Sequence, residues 1–219
     1  MKRLILSFIL AFFSFQMNAQ EIALQLYSLR NQIPQDPEKY HQMVADWGVY
    51  ALEGLGRHEM SEFEYLKLLE ENELEIVGVG ADFNQLARDL NPIIAQAKLY
   101  GAKYVTCYWI PHEEGPISLD EIKLATALFN QVGAELKEHG LTFLYHPHGY
   151  EFAKAGNGVV MDYMWKNAEN FAFNMDVFWV KMGGGDPVKI MKKYKGKFPM
   201  LHLKDRKIGT PGSMDGHGD

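Results

Sequence analysis

The chain has 219 residues, 47% of them hydrophobic and 13% aromatic, enough to bury a sizeable core in one large α/β domain or two small ones. Twenty-two basic residues stand against 28 acidic ones, a net charge of −6. No Lys/Arg-rich face with interleaved aromatics appears, which argues against a nucleic-acid partner.

The first twenty residues carry an address. Lys2 and Arg3 form a positive start, LILSFILAFFSF follows as an apolar run, and Asn18-Ala19-Gln20 places a small residue near a cleavage point. A membrane span needs about 20 apolar residues, so residues 1–20 read as a secretory signal peptide and not as an anchor. The product is then secreted or periplasmic, with no membrane partner after cleavage. Without Lys2 and Arg3, 20 basic residues face 28 acidic ones, a net charge of −8. The single cysteine, Cys107, lies inside the apolar run YVTCYWI and reads as a buried structural thiol.

From Glu21 onward, strand-like apolar runs alternate with helical periodicity. The candidate strands are IALQLYS (22–28), VYALEGL (49–55), LEIVGVG (74–80), KYVTCYW (103–109), LTFLYH (141–146), FAFNMD (171–176) and FPMLHLK (198–204). Between them, EYLKLLEENE and LDEIKLATALFNQVGAELKEHG space their apolar residues as helices do. Ser61 and Ser118 stand where N-caps belong, and Asp186-Pro187 offers a cap followed by proline at the first helical position. Gly101 and Gly140 stop helices just before the next strand. No hairpin signal separates neighbouring strands, so the order predicts parallel strands joined by helical crossovers. The first strand lacks the glycine fingerprint of a dinucleotide-binding fold. A TIM (β/α)8-type barrel fits better, with seven strands visible and the eighth missing, because the chain is shorter than the ~250 residues typical of that fold. Residues 21–219 thus read as one barrel domain, truncated at its C-terminus.

In a parallel barrel, reactive groups stand at the C-terminal ends of strands. The second candidate strand ends with Glu53, the fifth with His146 and His148, the sixth with Asp176, and the seventh with His202, Lys204 and Asp205. Each has a structural alternative. A lone histidine on a strand is commonly a hydrogen-bonded core residue, and Asp176 could cap the segment that follows. Together they supply the neutral imidazoles and carboxylates that a divalent metal requires. His58, His112, His139 and His217 lie in loops or at a helix end and read as solvated. GGGDP could cradle an anion, but the simpler reading is a helix start.

Five segments, IALQLYSLR, GVYALEGLG, LKEHGLTFLYHPHGYEF, NFAFNMDVFWVKMGGGDP and FPMLHLKD, taken in order, resemble the xylose isomerase-like TIM barrels of the sugar isomerase/epimerase superfamily. Within that superfamily they resemble the exported sugar phosphate isomerase/epimerase proteins. The resemblance implies one divalent metal ion (Mn, Co or Zn) bound by Asp176, by His202, and by His146 at a position where relatives often carry glutamate. The family's eighth-strand glutamate would lie beyond Asp219. It further implies proton abstraction next to the carbonyl of a sugar or keto-sugar, with Glu53, His148 or that eighth-strand glutamate moving the proton and Lys204 stabilising negative charge. Tyr27, Trp109, Glu151 and Trp179 are the expected contacts to a small carbohydrate substrate. The same machinery would serve a keto-glycoside lyase or dehydratase, and a barrel that has lost catalysis would remain a carbohydrate-binding protein. A nuclease of the related metal-dependent type is disfavoured by the negative charge and the export signal.

Overall fold

The computed structural model describes residues 20–112 and 115–207. The signal-peptide reading, apart from Gln20, and His217 lie outside the described residues. None of the described helices is long and apolar enough to cross a membrane.

The chain runs β1 (Ala23–Gln25), α1 (Pro37–Asp46), β2 (Ala51–Glu53), α2 (Glu62–Glu71), β3 (Glu75–Gly80), α3 (Phe83–Arg88), α4 (Asn91–Leu99) and β4 (Tyr104–Cys107). It continues through α5 (Leu119–Glu138), β5 (Thr142–Tyr145), β6 (Lys154–Ala155), β7 (Gly158–Val159), α6 (Met161–Asn167) and β8 (Ala172–Asp176). Finally come α7 (Val177–Met182), α8 (Pro187–Lys193) and β9 (Met200–His202). Seven strands form one parallel sheet in the order β1-β2-β3-β4-β5-β8-β9, curled into a half-barrel with helices. Among the described residues, β1 and β9 are its two edges.

The helix signals act as their chemistry requires. Ser61 and Ser118 each close a capping box, with Glu64 and Glu121 reaching back to the cap's backbone N–H. Asp186 accepts from the Lys189 N–H ahead of Pro187. Gly101 and Gly140 adopt φ of 68° and 76°, a left-handed turn that suits glycine.

Two expectations need correction. Leu26–Leu29, whose first three residues fall within the first candidate strand, is a 3-10 turn, because the Gln25 side chain accepts the Tyr27 N–H and bends the chain out of the sheet. A hairpin does exist: β6 and β7 pair antiparallel around Gly156-Asn157, with Gly156 at φ 58°. Strands of two residues carry no readable periodicity.

Side chains alternate across each strand. Val105, Cys107, Phe143, Tyr145, Phe173 and Met175 belong to the main hydrophobic core with Phe129 of α5. Thr106, Asn174 and Asp176, which alternate with them, are buried polar residues on the concave side. Cys107 is a free, buried thiol that burial pushes up to about 12, so it stays protonated and inert.

Candidate metal centre

The concave polar residues meet at the C-terminal ends of the strands. β8 and β9 pair in register so that Asp176 stands opposite His202. His146 follows directly after β5, its N–H bonded to the Cys107 carbonyl at 2.9 Å. One ligand atom from each of His146, Asp176 and His202 lies within 4.8 Å of the others.

Asp176 is divided between two tasks. Its Oδ1 accepts from the N–H groups of Phe178 and Trp179 at 2.8 and 3.1 Å, capping α7. Its Oδ2 faces His146 Nε2 at 3.4 Å. That contact is an ion pair only if His146 is protonated, and burial works against it. Burial lowers the His146 imidazole below its ordinary 6.5 despite the opposing pull of Asp176. The ring is therefore neutral, the form in which histidine binds a metal. His146 Nδ1 is buried without a hydrogen-bond partner, an arrangement that costs about 1–3 kcal/mol if nothing relieves it.

His202 belongs to a second knot of bonds. Its Nε2 lies 2.5 Å from Glu53 Oε2, and Asn174 Nδ2 donates to Glu53 Oε1 at 2.7 Å. The Tyr108 hydroxyl donates to the same oxygen at 2.8 Å and accepts from Gln25 Nε2 at 3.1 Å. Glu53 is aimed here by a register shift between Leu52 and Glu53 in the β2–β3 pairing, the kind of bulge that re-aims a side chain. Burial alone would raise the Glu53 carboxyl, but the bonds from His202 and Tyr108 outweigh it and hold it below 4.5. Glu53 is thus ionised at neutral pH, yet 2% exposed and committed to several donors.

His148 is half-buried, its ring 4.8 Å from that of His146. Tyr150 stacks parallel to it at 5.7 Å, while Trp109 and Trp179 close its other sides at 5.9 and 5.3 Å. Lys204 places its ammonium 4.4 Å from the centre of the Trp179 ring.

The expected substrate contacts fare unevenly. Trp109 is partly exposed, its ring packed against Tyr150 and His112. Tyr27 is exposed beyond the end of β1, with the Arg30 guanidinium over its ring. Trp179 is 1% exposed and Glu151 0%, so neither offers a surface on which a sugar could lie. Trp179 is a packing plate for His148 and Lys204. Glu151 turns inward to Tyr145 and the His148 backbone. His112, read as solvated, instead packs its ring 4.2 Å from that of Tyr150.

Asn174, Tyr108 and Gln25 join the site without being among the residues expected from the sequence. Asn174 was findable: an amide in the middle of FAFNMD, two residues before Asp176, must share its face of the strand. Tyr108 and Gln25 give no such signal, because only the curled sheet gathers them around Glu53.

No protein-family model matches the sequence, and no curated protein matches it significantly. Solved structures do. A sugar phosphate isomerase/epimerase from Parabacteroides distasonis is 28% identical with a TM-score of 0.72, covering 90% of this chain and 83% of its own. A second from the same organism is 24% identical with a TM-score of 0.71, covering 92% and 81%. The fold is that of the xylose isomerase-like TIM barrels. The IolI protein, solved with a bound zinc atom, shares it at 13% identity and a TM-score of 0.67, covering 90% and 78%. Neighbouring barrels also include a dehydratase and an AP endonuclease, so the reaction must be argued from the site and not from the fold.

Proposed function

We propose that the chain is a divalent-metal-dependent enzyme of the sugar isomerase/epimerase type, moving a proton at the carbon next to the carbonyl of a sugar or keto-sugar. The observation that carries this reading is the convergence of His146, Asp176 and His202 from the ends of β5, β8 and β9. Two imidazoles and a carboxylate are a fitting donor set for Mn²⁺, Co²⁺ or Zn²⁺, and the partnerless Nδ1 of His146 fits a site built for an ion. The zinc in IolI and the isomerase/epimerase neighbours agree with it. A bound cation would supply Lewis-acid polarisation of the sugar's carbonyl and adjacent hydroxyl oxygens.

The protein's own residues divide the remaining work. Glu53 holds His202 in place through the contact to its Nε2, with Asn174 and Tyr108 fixing the carboxylate. His148 is half-buried beside His146, and this reading gives it the proton transfer. Lys204 adds positive charge along the same wall. Trp109 offers the partly exposed ring against which a sugar face can rest. Export through residues 1–20 belongs to the same reading, and it favours free or glycosidically linked sugars over phosphorylated ones.

Calorimetric titration with Mn²⁺ and Zn²⁺ tests the site. The wild-type chain should bind one ion, and His202→Ala should weaken binding at least tenfold. Unchanged binding would remove the metal centre. Metal-dependent uptake of solvent deuterium into a sugar would then separate an enzyme from a carbohydrate-binding barrel.

A further inference from the structure

One buried carboxyl is left without a task by this chemistry. Glu151 is fully buried, yet its oxygens do not face the metal triad. Both accept the His148 backbone N–H, at 2.9 and 3.1 Å, and Oε1 also accepts the Tyr145 hydroxyl. The Tyr145 and Tyr150 hydroxyls touch at 3.3 Å, and Tyr150 accepts the Ile110 N–H at 3.3 Å. The network therefore ties three places together: the exit of β4 at Ile110, the end of β5 at Tyr145, and the turn that carries His148.

Packing does not call for a charge at this point. A buried carboxyl loses its hydration, and an apolar side chain of similar volume would fill the space at less cost. The bonds that Glu151 makes tie the turn that carries His148 to the end of β5. That turn holds the imidazole of His148 from two directions: Glu151 grips its backbone, and the Tyr150 ring lies parallel to its face.

We propose that Glu151 is a positioning residue for His148, setting the imidazole beside the metal triad without touching substrate or ion. This rests on the assignment of proton transfer to His148, but the bond network itself is independent of that assignment. Rigid backbone anchoring of this kind is how a proton-transfer group is kept within reach of its target.

The test uses the full chain and needs no substrate. Amide exchange and ¹⁵N–¹H spectra are recorded for wild type, Glu151→Ala and Glu151→Gln, with Zn²⁺ affinity measured by calorimetry on each. In Glu151→Ala the His148 amide should exchange at least tenfold faster and the His148 ring signals should shift. Zn²⁺ affinity should stay within about twofold. Glu151→Gln keeps a carbonyl oxygen for the same N–H and should restore protection. It also covers the case in which the alanine variant fails to fold. In wild type the His148 amide proton should follow the titration of the Glu151 carboxyl, whose nearest titratable neighbours are Tyr145, Tyr150 and His148. That movement should vanish in Glu151→Gln, while movements caused by the histidine rings remain. An unaltered His148 amide in both variants would overturn the proposal. So would a loss of Zn²⁺ affinity as large as that of His202→Ala, which would place Glu151 in the metal centre. Intact positioning without proton exchange into any sugar would defeat the proposed function alone.

Discussion

His202 Nε2 and Glu53 Oε2 lie 2.5 Å apart although 149 positions separate them in the chain, and both side chains are largely buried. The contact joins β2 to the edge strand β9 across the concave face. Glu53→Gln keeps the shape and removes the charge, which should cost about 1.5–3 kcal/mol at pH 7, the usual worth of a hydrogen bond to a charged group. The carboxyl is held below its ordinary 4.5 by His202 and Tyr108 against the effect of burial. Its stabilisation is therefore present above about pH 4.5 and is lost as pH falls through the folded-state value. Denaturant titrations should show the variant's deficit shrinking in acid. A deficit that persists unchanged below that range would mean the charge is not its source.

Glu151 should behave in the opposite sense. Burial pushes its carboxyl from 4.5 up to about 7, against the bonds from Tyr145 and His148. A raised acid favours the folded state only while protonated, so this contribution is complete below about pH 4.5 and disappears as pH rises through 7. A shift of that size corresponds to about 3 kcal/mol. Stability measured from pH 4.5 to 8 should decline by an amount of this order, and Glu151→Gln should flatten the decline. An equally steep decline in the variant would assign it to another group.

Much of this architecture is legible in the residues. Strand order, parallel pairing and the serine and aspartate caps follow from local signals, because each cap bonds within three residues of itself. The triad is legible too, since His146, Asp176 and His202 end their strands and a parallel sheet puts all such ends together. Direction was harder. Trp179 and Glu151 read as substrate contacts by type, but α7 and the 146–151 turn rotate both inward. The Glu53 network joins β1, β2, β4, β8 and β9 through single side chains, and no local pattern records bonds made at such separations.

Gly133 sets local propensity against packing. Within α5 an alanine is normally worth about 1 kcal/mol over glycine. Here a Cβ would fall 2.1 Å from the Asn170 carbonyl oxygen. The 167–170 segment cannot withdraw easily, because Asn130 on the same helix bonds Asn167 O and the N–H groups of Glu169 and Asn170. The clash should win, and Gly133→Ala should lose about 1–3 kcal/mol overall, the range for overpacked sites. A denaturation midpoint at or above wild type would show that the loop yields.

Asp176 allows capping and the proposed metal binding to be tested apart, since Oδ1 caps α7 while Oδ2 faces His146. Asparagine caps a helix about as well as aspartate, whereas alanine forfeits about 0.5–2 kcal/mol. Asp176→Asn should therefore leave the Phe178 and Trp179 N–H groups satisfied and the Trp179 plate in place. Its stability should stay close to that of wild type, while Asp176→Ala falls by the capping amount. Metal affinity should drop at least tenfold in both, because a neutral amide is a poor substitute for a carboxylate facing a divalent ion. Paired calorimetry and denaturation decide the matter. If Asp176→Asn binds Mn²⁺ or Zn²⁺ as the wild type does, Asp176 is a helix cap alone and the ion, if any, sits elsewhere. If Asn loses as much stability as Ala, the second oxygen's contact with His146 supports the fold as much as it would support a ligand.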